Sequence, residues 1–142
     1  MRKIFAIFLL FLAGCSFLRA GDWIIDYNVG TVSANDTVLV GTIDISGGGK
    51  LIKYFDICLT GSASADLPLS ILLRRYEPDW KALEGTDDST LVYDEMRLTI
   101  DSGTFYLSNN LFSVNPGKFR LYLWNESGSA SLSNVKVRVK GW

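Results

Sequence analysis

The sequence predicts an all-β fold, an antiparallel β-sandwich of about eight strands with a jelly-roll or related topology. From Trp23 onward, no window has the apolar spacing of an amphipathic helix over ten or more residues. Apolar and polar residues instead alternate in six or seven runs, which are separated by clusters of turn residues. Strands with one apolar face must pair two sheets or close into a barrel, so we expect a core between two layers.

The alternation identifies the individual strands and their apolar faces. In the clearest run, Val135, Val137 and Val139 alternate with basic residues. The same pattern defines four other runs: Phe55–Leu59, Leu67–Leu73, Val92–Ile100 and Phe119–Trp124. Each apolar set is predicted to face the core.

The run from Thr37 to Ser46 contains a change of phase. Val38 and Val40 occupy even-numbered positions and Ile43 and Ile45 odd-numbered ones, so the two pairs would face opposite sides of a regular strand; Gly41 lies between them. A glycine at a one-residue phase change predicts a β-bulge.

Residues typical of turns separate the strands. The predicted breaks are Ser46–Gly49, Thr60–Ser62, Asn109–Asn110, Asn115–Gly117 and Asn125–Ser129. Tyr76–Asp88 is the one long polar connection, and a short helical turn is expected around Trp80–Leu83.

The first twenty residues have the order of an export signal. Arg2 and Lys3 precede an apolar core of about nine residues, which is too short to span a bilayer. At its end, Leu12-Ala13-Gly14-Cys15 resembles the lipobox of bacterial lipoproteins. That resemblance implies cleavage before Cys15, lipid on its thiol and stable attachment to a membrane, by default the outer membrane.

A second cleavage site competes with the first. Leu18-Arg19-Ala20 would suit an ordinary signal peptidase, which would cut after Ala20 and release a soluble extracellular product in place of an outer-membrane or periplasmic lipoprotein. In both interpretations residues 1–20 serve export and residues 21–142 form a single β-sandwich domain.

Composition limits the partners of this domain. Cleavage before Cys15 leaves 12 basic and 15 acidic residues, hence a net charge of −3, which does not favour nucleic acid. Cys58 is then a lone thiol, so no disulfide framework is expected. Its alternation places it beside Tyr54 and Asp56, away from Phe55 and Ile57, where a small buried filler is the plain interpretation and a reactive thiol the alternative.

The chain has no histidine, which excludes Ser-His-Asp and Cys-His catalysis and every zinc site that needs an imidazole. Carboxylates such as Glu95 could in principle serve glycoside hydrolysis, but short loops on a small sandwich rarely form the required cleft. Glu84–Asp88 could supply oxygen ligands to calcium, but it lacks the spacing of a calcium loop and an ordinary acidic turn is the favoured interpretation. We therefore predict a non-enzymatic protein without a cofactor or resident metal.

One group of side chains indicates a binding face. Arg120, Tyr122 and Trp124 share the polar side of their strand. If that strand forms a hairpin with the next one, Lys136 and Arg138 join them. Such a surface could stack on sugar rings or meet an anionic glycan, could consist of structural cross-strand and cation–π pairs, or could be an assembly contact.

Two segments also resemble bacterial pre-peptidase C-terminal domains. Asp66–Leu73 is similar to their Asp-Leu-x-Leu strand, and Pro116–Leu123 to their Pro-Gly-x-Tyr strand. The resemblance implies a sandwich associated with polymeric substrates and carries over no binding residues.

Two functional hypotheses follow. The first is a cell-envelope lipoprotein whose sandwich binds a protein partner or a cell-wall or surface glycan. The second is a secreted structural subunit of an extracellular assembly or filament.

Overall fold

The computed structural model describes residues 23–45, 53–75 and 92–142 of the chain. The export signal with Cys15, the Tyr76–Asp88 connection and the Glu84–Asp88 segment lie outside these ranges. The described part contains eight strands and no helix, and therefore no helix that could cross a membrane. The strands are β1 (Trp23–Val32), β2 (Thr37–Asp44), β3 (Lys53–Ala63), β4 (Leu67–Arg75), β5 (Val92–Ile100), β6 (Gly103–Val114), β7 (Lys118–Asn125) and β8 (Leu132–Gly141).

The eight strands form two antiparallel sheets with the strand order of a jelly roll. Sheet A has the order β1-β8-β3-β6, and sheet B has the order β2-β7-β4-β5. Every connection except β4 to β5 passes from one sheet to the other, as a double Greek key requires. The predicted all-β sandwich is confirmed.

The predicted inner faces of the strands form the core. Leu67, Leu69, Ile71 and Leu73 of β4 are at most 1% exposed, and the three valines of β8 are equally buried. Three phenylalanines pack between the sheets, with the ring of Phe55 lying 6.2 Å from that of Phe112 and 6.5 Å from that of Phe119. Burial of this apolar surface is the main favourable contribution to folding.

Gly41 lies at the predicted bulge. The register of β2 against β7 shifts between Leu39 and Gly41, and this shift moves the inward-facing set from Val38 and Val40 to Ile43. The glycine also makes room for a partner from sheet A, because a Cβ here would lie 2.2 Å from the ring of Tyr27. The hydroxyl of Tyr27 donates to the carbonyl of Thr42 at 3.3 Å and so links the two sheets.

Two predicted breaks are wrong, because strands β3 and β6 continue through them. At Gly61 a Cβ would meet the Phe105 ring at 2.9 Å and the Ser133 carbonyl at 3.0 Å, so this glycine permits close packing inside β3. Asn109 lies inside β6 with a φ of 64°. It adjoins a register shift between β3 and β6, so it marks a bulge.

Asn125, at the end of β7, ties together the chain segments at one end of the sandwich. Its buried side-chain amide donates to the carbonyls of Ala130 at 2.8 Å and Ser33 at 3.0 Å. Its side-chain oxygen accepts from the amide of Ser127 at 3.0 Å. The predicted Asn125–Ser129 turn therefore exists, but it leads from sheet B into sheet A.

Candidate functional site

The structure divides the predicted binding face between the two sides of the molecule. Strand β7 pairs with β2 and β4 in sheet B, whereas β8 pairs with β1 and β3 in sheet A. The predicted β7–β8 hairpin is therefore wrong. Arg120, Tyr122 and Trp124 lie on the outer face of sheet B, and Lys136 and Arg138 lie on the outer face of sheet A. The five side chains do not form one surface, because both sheets and the core stand between the two groups.

On sheet B, the aromatic side chains of β7 are half-buried against their neighbours. Tyr122 lies opposite Leu72 of β4, and Leu72 is only 4% exposed although it points away from the core. The guanidinium of Arg74 lies 4.5 Å from the centre of the Tyr122 ring, which is a cation–π contact. This part of the face is occupied by contacts within the sheet.

A polar cluster beside Trp124 is also paired internally. Ser70, which lies opposite Trp124 in the sheet, is completely buried, and its hydroxyl lies within hydrogen-bonding distance of Glu95 (2.9 Å) and of Glu126. Arg97 donates to Glu95 at 2.9 Å. This guanidinium is the main cause of the lowered pKa of Glu95, with the Ser70 hydroxyl the next contribution. Because Glu95 stays ionised at neutral pH, it is poorly suited to act as a general acid.

The outer face of sheet A carries a basic strand at its centre. Lys136, Arg138 and Lys140 project from β8 on that side. Arg138 is held by Asp26 of β1 through two charge-assisted hydrogen bonds of 2.6 and 3.0 Å. This pairing lowers the pKa of Asp26 and raises that of Arg138. Lys136 forms no ion pair with any other residue of the described ranges.

A groove of about 610 Å³ runs across the same face. Its lining comes from all four strands of sheet A: Asp26, Tyr27 and Asn28 of β1, Lys136, Val137 and Arg138 of β8, Cys58 and Thr60 of β3, and Tyr106 of β6. Lys136, Thr60 and Tyr106 lie on one rung, because Thr60 is opposite both of the others. The groove therefore offers hydrogen-bond donors and acceptors next to an aromatic ring.

Tyr106 is the most exposed large hydrophobic side chain among those whose burial the structure describes, with 68% of its surface accessible. Tyr106 was not among the predicted site residues, because it lies in a run without clean alternation, just before the irregularity at Asn109. A signal was present nonetheless. Side chains alternate between the two faces of a strand, so an aromatic residue between Phe105 and Leu107 lies on the opposite face from them, and Phe105 is buried.

Cys58 lies at the floor of the groove and is half-buried. The sequence placed it correctly on the side of Tyr54 and Asp56. Burial is the largest cause of the raised pKa of its thiol, and the Asp56 carboxylate raises it further by charge and by accepting a 3.6 Å hydrogen bond. The protonated form therefore dominates at neutral pH, which disfavours nucleophilic chemistry.

Among the residues that the structure describes, no three carboxylate or thiol groups lie close enough to hold a metal ion. The arrangement on sheet A is suited to reversible, non-covalent binding. It combines a concave surface, one exposed ring and several oriented polar groups.

No protein-family model and no curated protein sequence matches the chain. Solved structures of similar fold are found at low sequence identity. The PRD1 vertex protein P5 is 12% identical, the match covers 85% of this chain and 94% of that one, and the TM-score is 0.48. The C-terminal CBM6 of LamC, a marine laminarinase from Zobellia galactanivorans, is 13% identical over 82% of this chain and 98% of that one, with a TM-score of 0.44.

A third similar structure is a ruminal GH26 endo-β-1,4-mannanase, which is 8% identical over 75% of this chain, with a TM-score of 0.46. The chain spans only 18% of the length of that enzyme. These likenesses extend to the β-sandwich architecture and no further. The fold is compatible with a binding module and with a structural subunit.

Proposed function

We propose that this protein is a non-enzymatic glycan-binding module of the bacterial cell envelope, attached to a membrane by lipid on Cys15. The groove over sheet A is the proposed binding site, and the observation that carries the proposal is the exposed ring of Tyr106 in a groove that polar side chains also line. A sugar ring has an apolar face that can lie on an aromatic ring, and its hydroxyls need donors and acceptors around them. Asn28, Thr60 and Lys136 supply such groups along the groove.

The chemistry of the chain supports binding over catalysis. Without histidine, the hydrolytic chemistry that this chain offers is that of paired carboxylates, as in most glycoside hydrolases. Glu95 and Glu126 are engaged with Ser70 and Arg97 on sheet B, the face opposite the groove. Asp26, the carboxylate that lines the groove, is held by Arg138.

The decisive experiment compares one aromatic residue from each sheet. The full chain would first be tested on a glycan array, and affinity for the strongest ligand would then be measured by calorimetry for wild type, Tyr106→Ala and Trp124→Ala. We expect Tyr106→Ala to weaken binding at least tenfold, about 1.4 kcal/mol, and Trp124→Ala to leave it unchanged. Tyr106→Phe should keep most of the affinity, because the ring is retained.

Circular dichroism of each variant separates loss of binding from loss of fold. Should only Trp124→Ala weaken binding, the site would lie on sheet B. An array without any bound glycan would contradict the proposed function.

The lipid anchor has its own test. Intact mass of the protein purified from membranes should correspond to cleavage before Cys15 plus acyl groups, and Cys15→Ser should abolish both the added mass and the membrane association. A mass that corresponds to cleavage after Ala20 would instead favour the secreted structural subunit.

A further inference from the structure

Four exposed apolar side chains gather at one corner of the outer face of sheet A. We call this surface the apolar corner; its members and their exposed fractions are Ile24 (52%), Leu111 (54%), Tyr54 (44%) and Trp142 (38%). They account for four of the seven exposed large hydrophobic side chains among the residues whose burial the structure describes. Isolated exposed apolar residues are ordinary, whereas a cluster of them marks an interaction surface.

The register places the four side chains on two neighbouring rungs of sheet A, with Lys140 and Asp56 between the two aliphatic members. Trp142 and Tyr54 are joined by two backbone hydrogen bonds, and their rings stack with centroids 6.5 Å apart. The next rung runs from Ile24 of β1 through Lys140 and Asp56 to Leu111 of β6. With strands about 4.8 Å apart and rungs about 7 Å apart, the corner measures roughly 14 Å by 7 Å.

The corner lies where the chain enters the sandwich. Trp23, the first residue of β1, pairs with Gly141, which directly precedes Trp142. The predicted lipid site, Cys15, is eight residues before Trp23. Even fully extended, eight residues span at most about 29 Å. A lipid on Cys15 would therefore keep this end of the sandwich close to the bilayer.

We propose that the apolar corner rests on the bilayer surface, with the Tyr54–Trp142 pair at the level of the lipid headgroups. This proposal rests on the lipid anchor of the proposed function. Tryptophan and tyrosine favour the membrane–water interface, because their rings are apolar and their N–H and O–H groups remain hydrated. Lys140, between Ile24 and Asp56 on the second rung, has a long apolar stem and can place its ammonium group among phosphates.

The size of the corner argues against a second copy of the chain as the occupant. It consists of four side chains, whereas a stable protein interface takes about 20 to 30 residues from each partner. A corner held at a bilayer by a covalent anchor needs little area, because the anchor supplies most of the affinity. The Tyr106 end of the groove is the part farther from the bilayer in this orientation, since the Lys136–Tyr106 rung lies about 14 Å from the Ile24–Leu111 rung and the Asp26–Arg138 rung about 7 Å from it.

The test uses the full processed protein in vesicles of phosphatidylethanolamine and phosphatidylglycerol that contain brominated acyl chains, which quench tryptophan fluorescence. We expect quenching in the wild type, a loss of at least half of it in Trp142→Phe, and no loss in Trp124→Phe on the opposite face. A double variant, Ile24→Glu with Leu111→Glu, should also reduce quenching while leaving glycan affinity unchanged.

Quenching that is equal in wild type and Trp142→Phe would overturn the proposal, as would a loss confined to Trp124→Phe. A cross-linked dimer that disappears in the double variant would instead assign the corner to a second copy. A chain that carries no lipid by intact mass would overturn it as well. Glycan affinity, measured on the same preparations, reports separately on the groove.

Discussion

The outer faces of the two sheets carry similar residues, aromatic and charged, but differ in what those residues touch. On sheet B, Arg74 lies over the Tyr122 ring, and Lys118 is 3.7 Å from Asp44. On sheet A, Tyr106 is 68% exposed, and Lys136 is not in an ion pair with another described residue. The cross-strand neighbours of an aromatic residue therefore decide whether its ring is available to a ligand.

The largest expected difference is in stability. Tyr122→Ala removes a ring that lies opposite the nearly buried Leu72 and under Arg74, so it should lower the free energy of unfolding by about 2 kcal/mol. Tyr106→Ala removes a mostly exposed ring and should change it by less than about 0.5 kcal/mol. Urea unfolding followed by circular dichroism measures both values. If both substitutions lowered the free energy of unfolding equally, the two rings would not differ in their contacts within the fold.

The polar residues should follow the same division. Ser70→Ala deletes a buried hydroxyl that contacts two carboxylates, and we expect it to cost about 1 kcal/mol of unfolding free energy. Thr60→Ala, on the floor of the groove in sheet A, is the matched change and should cost less than about 0.5 kcal/mol. If Thr60→Ala lowered the free energy of unfolding more than Ser70→Ala, the polar residues of sheet A would be the ones that stabilise the fold.

Alternation within each strand made the inner faces predictable from sequence. It is a local property with a period of two, so the buried sets of β4, β7 and β8 and the bulge at Gly41 followed directly. The strand order is not local. In a jelly roll β7 and β8 are consecutive yet pair in different sheets, and the alternation within each strand carries no information on that choice.

The candidate site was predictable only in part for the same reason. Lys136 and Arg138 belong to the groove, but their predicted partners on β7 do not. The partners that the fold supplies, Asp26 and Tyr106, come from β1 and β6, distant in sequence. The groove is built from four strands, so predicting it requires the order in which the strands pair. That order depends on how the whole core packs.

The charge of Lys136 should affect the binding of an acidic glycan. Lys136 is the groove cation without an ion pair among described residues, so Lys136→Gln should weaken binding of an acidic glycan about fivefold and flatten its dependence on salt. Lys118→Gln is the control, because this lysine is on sheet B and faces Asp44. Calorimetry at two salt concentrations measures both. If Lys118→Gln had the larger effect, the acidic ligand would bind sheet B.

The smallest effect concerns the reactivity of Cys58. Because burial and Asp56 raise its pKa above the reference value of 9.0, the thiolate fraction at pH 7 is small, and alkylation by iodoacetamide should be slow and rise with pH beyond 9. Asp56→Asn removes a negative charge that favours the protonated thiol and replaces the carboxylate acceptor by a weaker neutral amide oxygen. The pKa of Cys58 should fall, and alkylation at pH 8 should become faster.

The same reaction reports on the groove. A glycan bound over sheet A would cover Cys58 and slow its alkylation further, because Cys58 lines the groove with Tyr106. The control is Thr99→Cys in a Cys58→Ser background, which places the thiol at an exposed position of sheet B. Alkylation there should not respond to the glycan. Protection of the cysteine at position 99 but not of Cys58 would move the binding surface to sheet B and remove the functional distinction between the two faces.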